Sequence, residues 1–223
     1  MFRGTFALFL LAAMIPAVQA APIATRTGLQ TILGGPGSVE NFESLEVGMF
    51  GATLLDCAAL TSTAVCNGQG PGLVIPGFSI IFSPGQGQWN GQSYFGSPSK
   101  EVLSNGQPLV VDFSSPVSAF GLDLRAYSGF PVTAAMAIYA ADDTTLLGTI
   151  SSINLDSSGL PVFVGWEHAP GIGSFSLTQS GWFWSPIIDN LEFGFADLAV
   201  PEPASALLLA AGLVALRLLR ATA

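Results

Sequence analysis

The sequence predicts a mainly β protein: an antiparallel β-sandwich, jelly-roll-like with about 8–9 strands, flanked by an N-terminal signal helix and a C-terminal transmembrane helix. Three observations lead to this fold class. Short apolar runs are separated by turn residues, with 26 Gly and 15 Pro among 223 residues, a pattern typical of sandwiches and barrels. Several runs alternate apolar and polar side chains. No internal segment combines a helical period with capping residues, so we expect no helix in the body. An immunoglobulin-type Greek-key sandwich is the alternative arrangement.

Alternation of side chains locates the individual strands. Residues 118–125 place Phe120, Leu122 and Leu124 on one face, as expected for a strand with one buried side. Asp142 and the two residues after it form a turn signal between two apolar runs, which predicts a hairpin. The nine candidate strands cover residues 39–45, 77–82, 109–113, 118–125, 132–140, 146–150, 162–166, 173–178 and 187–193.

Residues 1–20 have the features of a secretory signal peptide. Arg3 supplies a basic start, residues 6–15 form an apolar run, Pro16 interrupts it, and small side chains lead to Ala20. The apolar run is too short for a stop-transfer helix, which disfavours an uncleaved anchor. We therefore expect signal peptidase to cut after Ala20 and residues 21–199 to form the exported domain.

The C-terminal segment, residues 200–223, predicts a short membrane helix. Residues 204–216 contain no charge, and Arg217 and Arg220 follow them. At about 1.5 Å per residue this run covers about 20 Å, which is short for a hydrocarbon core of about 30 Å. The basic end marks the cytoplasmic side of the inner membrane, so the preceding domain lies outside it.

The tail also carries a recognisable motif. Pro201, Glu202 and Pro203, the apolar run, and Arg217 with Arg220 together resemble the PEP-CTERM sorting signal of Gram-negative bacteria. That resemblance implies recognition by an exosortase, processing near the motif, and delivery to the cell surface or the exopolysaccharide matrix. A plain tail anchor behind a proline-rich linker is the alternative.

The charge of the body restricts its partners. The whole chain has a net charge of −9, and between residues 21 and 199 the basic residues are Arg26, Lys100 and Arg125. Nucleic-acid binding needs clustered basic side chains, so we expect no nucleic-acid partner. Binding to anionic lipid surfaces is disfavoured for the same reason.

Two cysteines, Cys57 and Cys66, are the only ones in the chain. An exported protein meets an oxidising compartment, so we expect a disulfide between them, with two free thiols as the alternative. Metal binding by this pair is not expected, because there is no second cysteine pair and His168 is the single histidine.

No catalytic set stands out. The sequence has none of the common nucleophile, zinc or phosphate-binding motifs, and a lone histidine is more often structural. Glycoside hydrolysis would need two carboxylates, and Asp123, Glu167, Asp189 and Glu192 are candidates. Nothing in their spacing selects a pair, so we expect a non-enzymatic protein.

Glu43 and Asp189 are candidate calcium ligands. Glu43 lies near the first predicted strand and Asp189 begins the last one, and such strands can be neighbours in a jelly roll. Carboxylates and loop carbonyls are the ligands that Ca²⁺ prefers. The body is similar to carbohydrate-binding jelly rolls, and that resemblance implies a structural Ca²⁺ held by early-strand and last-strand carboxylates. A turn in which Asp189 bonds its own backbone is the alternative.

Four aromatic residues are candidate sugar contacts. Trp182 and Trp184 share one face of an extended segment, where they could stack on sugar rings or fill the core. Trp89 and Tyr94 lie in a Gly/Gln-rich loop, and we expect them to be exposed.

Three functions follow from these features. The first is an exosortase-sorted surface or matrix protein that is non-enzymatic and binds polysaccharide on a Ca²⁺-stabilised β-sandwich. The second is a secreted glycan hydrolase that uses two carboxylates. The third is a structural adhesin with no small ligand.

Overall fold

The computed structural model describes residues 20–82, 85–127, 130–181 and 184–196. These ranges contain twelve β-strands, one α-helix and one short 3₁₀ turn at Tyr94–Gly96, so the fold is mainly β and antiparallel. The elements are β1 (Ala21–Ile23), α1 (Arg26–Leu33), β2 (Ser38–Glu40), β3 (Ala52–Leu54), β4 (Ala59–Thr61), β5 (Phe78–Phe82), β6 (Gly87–Asn90), β7 (Glu101–Ser104), β8 (Leu109–Arg125), β9 (Val132–Ala140), β10 (Leu146–Leu155), β11 (Val162–Gln179) and β12 (Ile187–Gly194).

The strands form two half-sheets that share β8 and β11. The first half-sheet has the order β4, β5, the start of β8, the end of β11, β9 and β10. The second begins at β1 and continues through the start of β11, the end of β8 and β12. Both β2 and β7 pair with β12, at different residues, and β6 and then β3 follow β7. Both long strands cross between the half-sheets near Pro116 and Gly171, where their pairing register shifts.

The core lies between the two half-sheets and is built on phenylalanines. Phe120 of the second half-sheet stacks on Phe175 of the first, with ring centroids 4.4 Å apart and nearly parallel planes. Phe78 and Phe193 make an edge-to-face contact across the same layer at 5.6 Å. Such ring pairs add to the stabilisation from buried area, which is the main force holding the half-sheets together.

Several predicted strands are extended or joined in the structure. Residues 109–113 and 118–125 belong to one strand, β8, and residues 162–166 and 173–178 belong to β11. The sequence suggested breaks there because proline and glycine interrupt the pattern, whereas both residues only bend the strands. The predicted hairpin of β9 and β10 is confirmed, and Asp142 accepts the backbone N–H of Thr145 at its turn.

The expectation that the body has no helix is wrong. Helix α1 has its N-cap at Thr25, whose hydroxyl accepts the N–H of Gly28 at 3.0 Å, and it ends at Gly34 with a φ of 72°. It has eight residues, too few to give a sustained period. Its apolar face packs Leu29 against Ile23 and Ala119. The described residues contain no other α-helix, and none there has the length and hydrophobicity of a membrane span.

The predicted disulfide is confirmed. Cys57 and Cys66 are bonded, and their Cα atoms lie 5.3 Å apart. The bridge closes a short segment after β3 that contains β4, and Cys66 is fully buried in the core. The signal segment up to residue 19 and the tail with Pro201, Glu202, Pro203, Arg217 and Arg220 lie outside the described residues, so both stay predictions.

Candidate functional site

One end of the molecule gathers the described parts of three loops, which we call the loop end: residues 126–127 and 130–131, residues 156–161, and residues 180–181 and 184–186. The register explains why they meet. The last residues of β8 pair with the first residues of β11 and β12, and Leu155 at the end of β10 pairs with Val132 at the start of β9. Each of these strand ends therefore releases its loop on the same side of the fold.

An open groove of about 310 Å³ lies at the loop end, and we call it the loop-end groove. Exposed polar side chains from the ends of β9 and β10 and from two of the loops line it: Thr133, Asn154, Asp156 and Ser180. Thr133 and Asn154 are cross-strand partners, and the backbone N–H of Ser180 donates to the carbonyl of Thr133 at 2.9 Å. The groove therefore presents hydroxyl, amide and carboxylate groups from a backbone that is hydrogen-bonded together.

Apolar side chains stand beside this polar lining. Phe130 precedes Pro131 of the groove wall and is 51% exposed, and Leu160 of the neighbouring loop is 67% exposed. The loop end therefore combines apolar surface with hydrogen-bonding groups, which is the composition of ligand sites.

A buried ion pair holds the loop end in place. The guanidinium of Arg125, at the end of β8, donates to both carboxylate oxygens of Glu101 at 2.8 and 2.5 Å and to the carbonyl of Gly159 at 2.8 Å. Both side chains are almost completely buried. Because Gly159 lies in the loop that also carries Asp156, this contact fixes one wall of the loop-end groove to the sheet.

The carboxylate of Asp156 is organised by its own loop. It accepts hydrogen bonds from the backbone N–H of Ser158 at 2.8 Å and from the Ser158 hydroxyl. These bonds favour the ionised form and hold the pKa of Asp156 below its usual value. The groove therefore carries a negative charge at neutral pH.

A second polar cleft, of about 60 Å³, lies between β8 and β12. Asp123 and Asp189 are cross-strand partners there, so the structure brings together two of the four carboxylates considered for hydrolysis. Both are bonded to the protein: Ser99 Oγ donates to Asp189 at 2.5 Å, and Asn190 Nδ2 donates to Asp123 at 3.0 Å. Burial is the main cause that raises the pKa of Asp189 to about 6.

The remaining two carboxylates of that set do not join this pair in the cleft. Glu192 is fully buried and accepts from Arg26 at 2.8 Å and from the backbone N–H of Gly37 at 3.0 Å. Glu167 lies on β11, paired with Ala119 and Ala21. Ligand sites enclose about 300–1,000 Å³, so the small cleft is too small for a sugar ring to reach the Asp123–Asp189 pair.

The two candidate calcium ligands interact electrostatically: burial is the main cause of the raised pKa of Asp189, and the negative charge of Glu43 adds to it. Each is already bonded to protein donors: Glu43 accepts the backbone N–H of Lys100 at 2.8 Å, and Asp189 accepts from Ser99. In the described part of the chain no three acidic, histidine or cysteine side chains are arranged to hold a metal ion. The contacts favour a hydrogen-bonded network at these residues, and calcium binding stays a prediction.

The predicted exposure of Trp89 is wrong. Its ring is fully buried, its Nε1–H donates to the carbonyl of Phe42 at 2.9 Å, and the two rings meet edge to face. The Gly/Gln-rich segment forms β6, whose inward face receives the indole, so Trp89 cannot stack on a sugar in this structure.

The other aromatic candidates have intermediate or undescribed positions. Tyr94 is half-buried in the 3₁₀ turn, and Trp184 is half-buried at the loop end, with its ring centroid 5.0 Å from that of Tyr127. Trp182 lies outside the described residues. Trp184 therefore acts partly as support for the loop end, packed beside Ile187 and Leu103.

Sequence reasoning missed the residues of the loop-end groove. Thr133, Asn154 and Asp156 form no motif, and Asn154 lies beyond the predicted end of its strand at residue 150. The pairing of β9 with β10 is what brings Thr133 and Asn154 together. No local pattern in the sequence marks them.

Comparisons with known proteins add little to this geometry. No family model matches the chain, and no curated protein sequence matches it. Among solved structures, it is similar to a carbohydrate-binding module (CBM6cm-2) from Cellvibrio mixtus lichenase 5A, determined in complex with cellotriose. The TM-score is 0.25 at 10% identity, over 71% of this chain and 97% of the module. Similarity at this level transfers neither fold nor ligand.

Proposed function

We propose that this chain is an exported, non-enzymatic cell-surface or matrix protein, folded as a jelly-roll β-sandwich, that binds polysaccharide in the loop-end groove. One observation carries the proposal: an open groove of about 310 Å³ is lined by four exposed polar side chains, and the exposed Phe130 directly precedes Pro131 of its lining. Its volume falls at the lower end of the range of ligand sites.

The chemistry of the groove suits a sugar. A pyranose presents hydroxyl groups around its edge and C–H groups on its faces. Thr133, Asn154 and Ser180 offer both donors and acceptors to hydroxyls, and the ring of Phe130 offers an apolar face. Because the groove is open at the surface, it can bind an internal segment of a long polysaccharide. Neither cleavage of the polymer nor access to a free chain end is needed.

The polar contacts support a binding role over hydrolysis. Asp123 and Asp189 are the two neighbouring carboxylates, but they lie in a cleft of about 60 Å³ and are bonded to Ser99 and Asn190. In the loop-end groove, the lining contains one carboxylate, that of Asp156. Glycoside hydrolysis by the usual mechanisms requires two.

The proposed location rests on the two ends of the chain. Signal peptidase would release the domain after Ala20, and the tail would hold it at the inner membrane until an exosortase acts at Pro201-Glu202-Pro203. The disulfide between Cys57 and Cys66 is consistent with export, because disulfides persist in oxidising compartments. Replacing Glu202 by Ala is expected to leave the protein in the membrane fraction, which fractionation with immunoblotting measures.

Binding can be tested with the exported protein on a panel of polysaccharides, by affinity gel electrophoresis or calorimetry. Phe130→Ala is expected to weaken binding at least about tenfold, as loss of a buried aromatic contact of about 1.4 kcal/mol or more would do. Phe195→Ala is the matched control, since Phe195 is also exposed but follows the far end of β12. Equal losses in the two variants, or no binding to any polysaccharide, would refute the proposed site. Adhesion to cells without glycan binding would favour the structural adhesin.

A further inference from the structure

The arginine and lysine side chains of the described residues are all engaged. The guanidinium of Arg26 lies between two carboxylates, 2.8 Å from Glu192 and 3.1 Å from Asp123. Arg125 is buried against Glu101 and Gly159, as described above. If either guanidinium left these partners, buried or half-buried carboxylates would remain without a counter-ion, which is energetically costly.

The third cation, Lys100, is held by the backbone. Its ammonium donates to the carbonyl oxygens of Glu43 and Leu45 at 2.7 and 2.9 Å and lies 3.9 Å from the Glu43 carboxylate. Burial lowers the pKa of His168, which disfavours its charged form. Within the described ranges, therefore, each arginine and lysine side chain is engaged by the protein, and neither these nor His168 line the loop-end groove.

The loop end itself has one charge. Across residues 126–131, 156–161 and 180–186, the sequence contains a single charged side chain, Asp156, which lines the groove. Its turn keeps it ionised, and the chain as a whole has a net charge of −9. A uronate, sulfate or phosphate group on a ligand would therefore meet a like charge in the groove with no cation to balance it.

We infer that the ligand of the loop-end groove is a neutral polysaccharide, built of sugars without carboxylate, sulfate or phosphate groups. This inference rests on the proposed function, since it names the class of glycan that the same groove accepts. Recognition then depends on hydroxyl hydrogen bonds and ring contacts, and Asp156 serves as an acceptor for sugar hydroxyls. Charged matrix polymers are excluded by repulsion.

The test compares a neutral β-glucan with a polyuronate of similar chain length, using the exported protein at about 20 mM and about 500 mM NaCl, where the Debye length falls from about 20 Å to about 4 Å. We expect the neutral glycan to bind with an affinity that changes less than about twofold with salt. The polyuronate is expected to bind at least about tenfold more weakly at low salt.

Charge variants separate electrostatics from folding. Asp156→Asn keeps an acceptor for Ser158, and Asp156→Lys reverses the charge; both should strengthen polyuronate binding at low salt, the lysine variant more. Asp142→Lys is the matched control, because Asp142 caps an exposed turn in the same way but at the other end of β9 and β10. It should leave polyuronate binding unchanged.

The outcomes distinguish the two claims. Polyuronate binding equal to or tighter than neutral-glycan binding in the unmodified protein would overturn the neutral-ligand inference and leave the proposed function standing. An equal gain in Asp142→Lys and Asp156→Lys would overturn the assignment to this groove. Failure to bind either of these polymers or any other polysaccharide of the panel would refute the proposed function itself.

Discussion

The replacement Glu101→Gln tests the buried ion pair that anchors the loop end. It removes the negative charge opposite Arg125 and replaces one acceptor oxygen by an N–H₂ group that faces guanidinium donors. The hydrogen bond from Arg125 to the carbonyl of Gly159 remains. The variant therefore leaves a buried positive charge without its counter-ion while preserving the volume of the side chain.

The expected magnitude follows from burial. The side chains of Arg125 and Glu101 are 4% and 0% exposed, and they are joined by two hydrogen bonds of 2.5 and 2.8 Å. Removing one partner of a buried ion pair lowers the free energy of unfolding by about 3–5 kcal/mol. For a domain of this size that corresponds to a fall in Tm of about 6–20 °C. Burial raises the pKa of Glu101 to about 7, so the comparison is made at pH 8, where the carboxylate is ionised.

Urea unfolding of the exported protein at pH 8, followed by tryptophan fluorescence, measures the difference. Glu43→Gln is the control, because its ion pair with Lys100 spans 3.9 Å with Glu43 44% exposed and should contribute at most about 1 kcal/mol. If Glu101→Gln were no more destabilising than this control, the anchoring role of the pair would be refuted. A double variant, Glu101→Leu with Arg125→Met, should recover much of the loss.

Three further predictions concern stability. Burial holds the folded pKa of Asp189 at about 6 against an ordinary 3.8, so the folded state binds more protons and its stability falls as pH rises from about 4 to 6. Asp189→Asn should therefore stabilise the protein at pH 8 but not at pH 3.5, and a uniform effect in urea unfolding would contradict this. Reducing the disulfide between Cys57 and Cys66 should lower the free energy of unfolding by about 2–3 kcal/mol. A urea midpoint that dithiothreitol leaves unchanged would contradict this stabilising role. Gly165→Ala should cost about 1–3 kcal/mol, because the new Cβ would lie 2.7 Å from the Phe120 carbonyl oxygen, whereas Gly48→Ala meets no atom within 4 Å and serves as its control.

The long strands were predictable because their side chains alternate. The predicted strand at 132–140 coincides with β9, and Phe120, Leu122 and Leu124 are buried as expected. The short strands at β3, β4, β6 and β7 were not predicted, since three or four residues cannot show a period. Their extended conformation depends on pairing with neighbours that lie far away in sequence.

The candidate site was less predictable than the fold. Trp89 was expected at the surface from its Gly/Gln-rich surroundings, yet a pocket beside Phe42 buries it. Conversely, Asp123 and Asp189 became neighbours only through the register of β8 and β12. Local composition indicates the secondary structure and exposure that a segment favours. It carries no information about which distant segment packs over it.

The sequence by itself determined the antiparallel β class, the disulfide and the acidity of the domain, because alternation, cysteine count and charge are local or additive properties. It also predicts export and sorting from the two ends of the chain. Only the tertiary structure decided that the three loops meet at one end, that Arg125 and Glu101 anchor them, and that Thr133 and Asn154 face the same groove. These are consequences of strand register and long-range packing, which one-dimensional patterns do not contain.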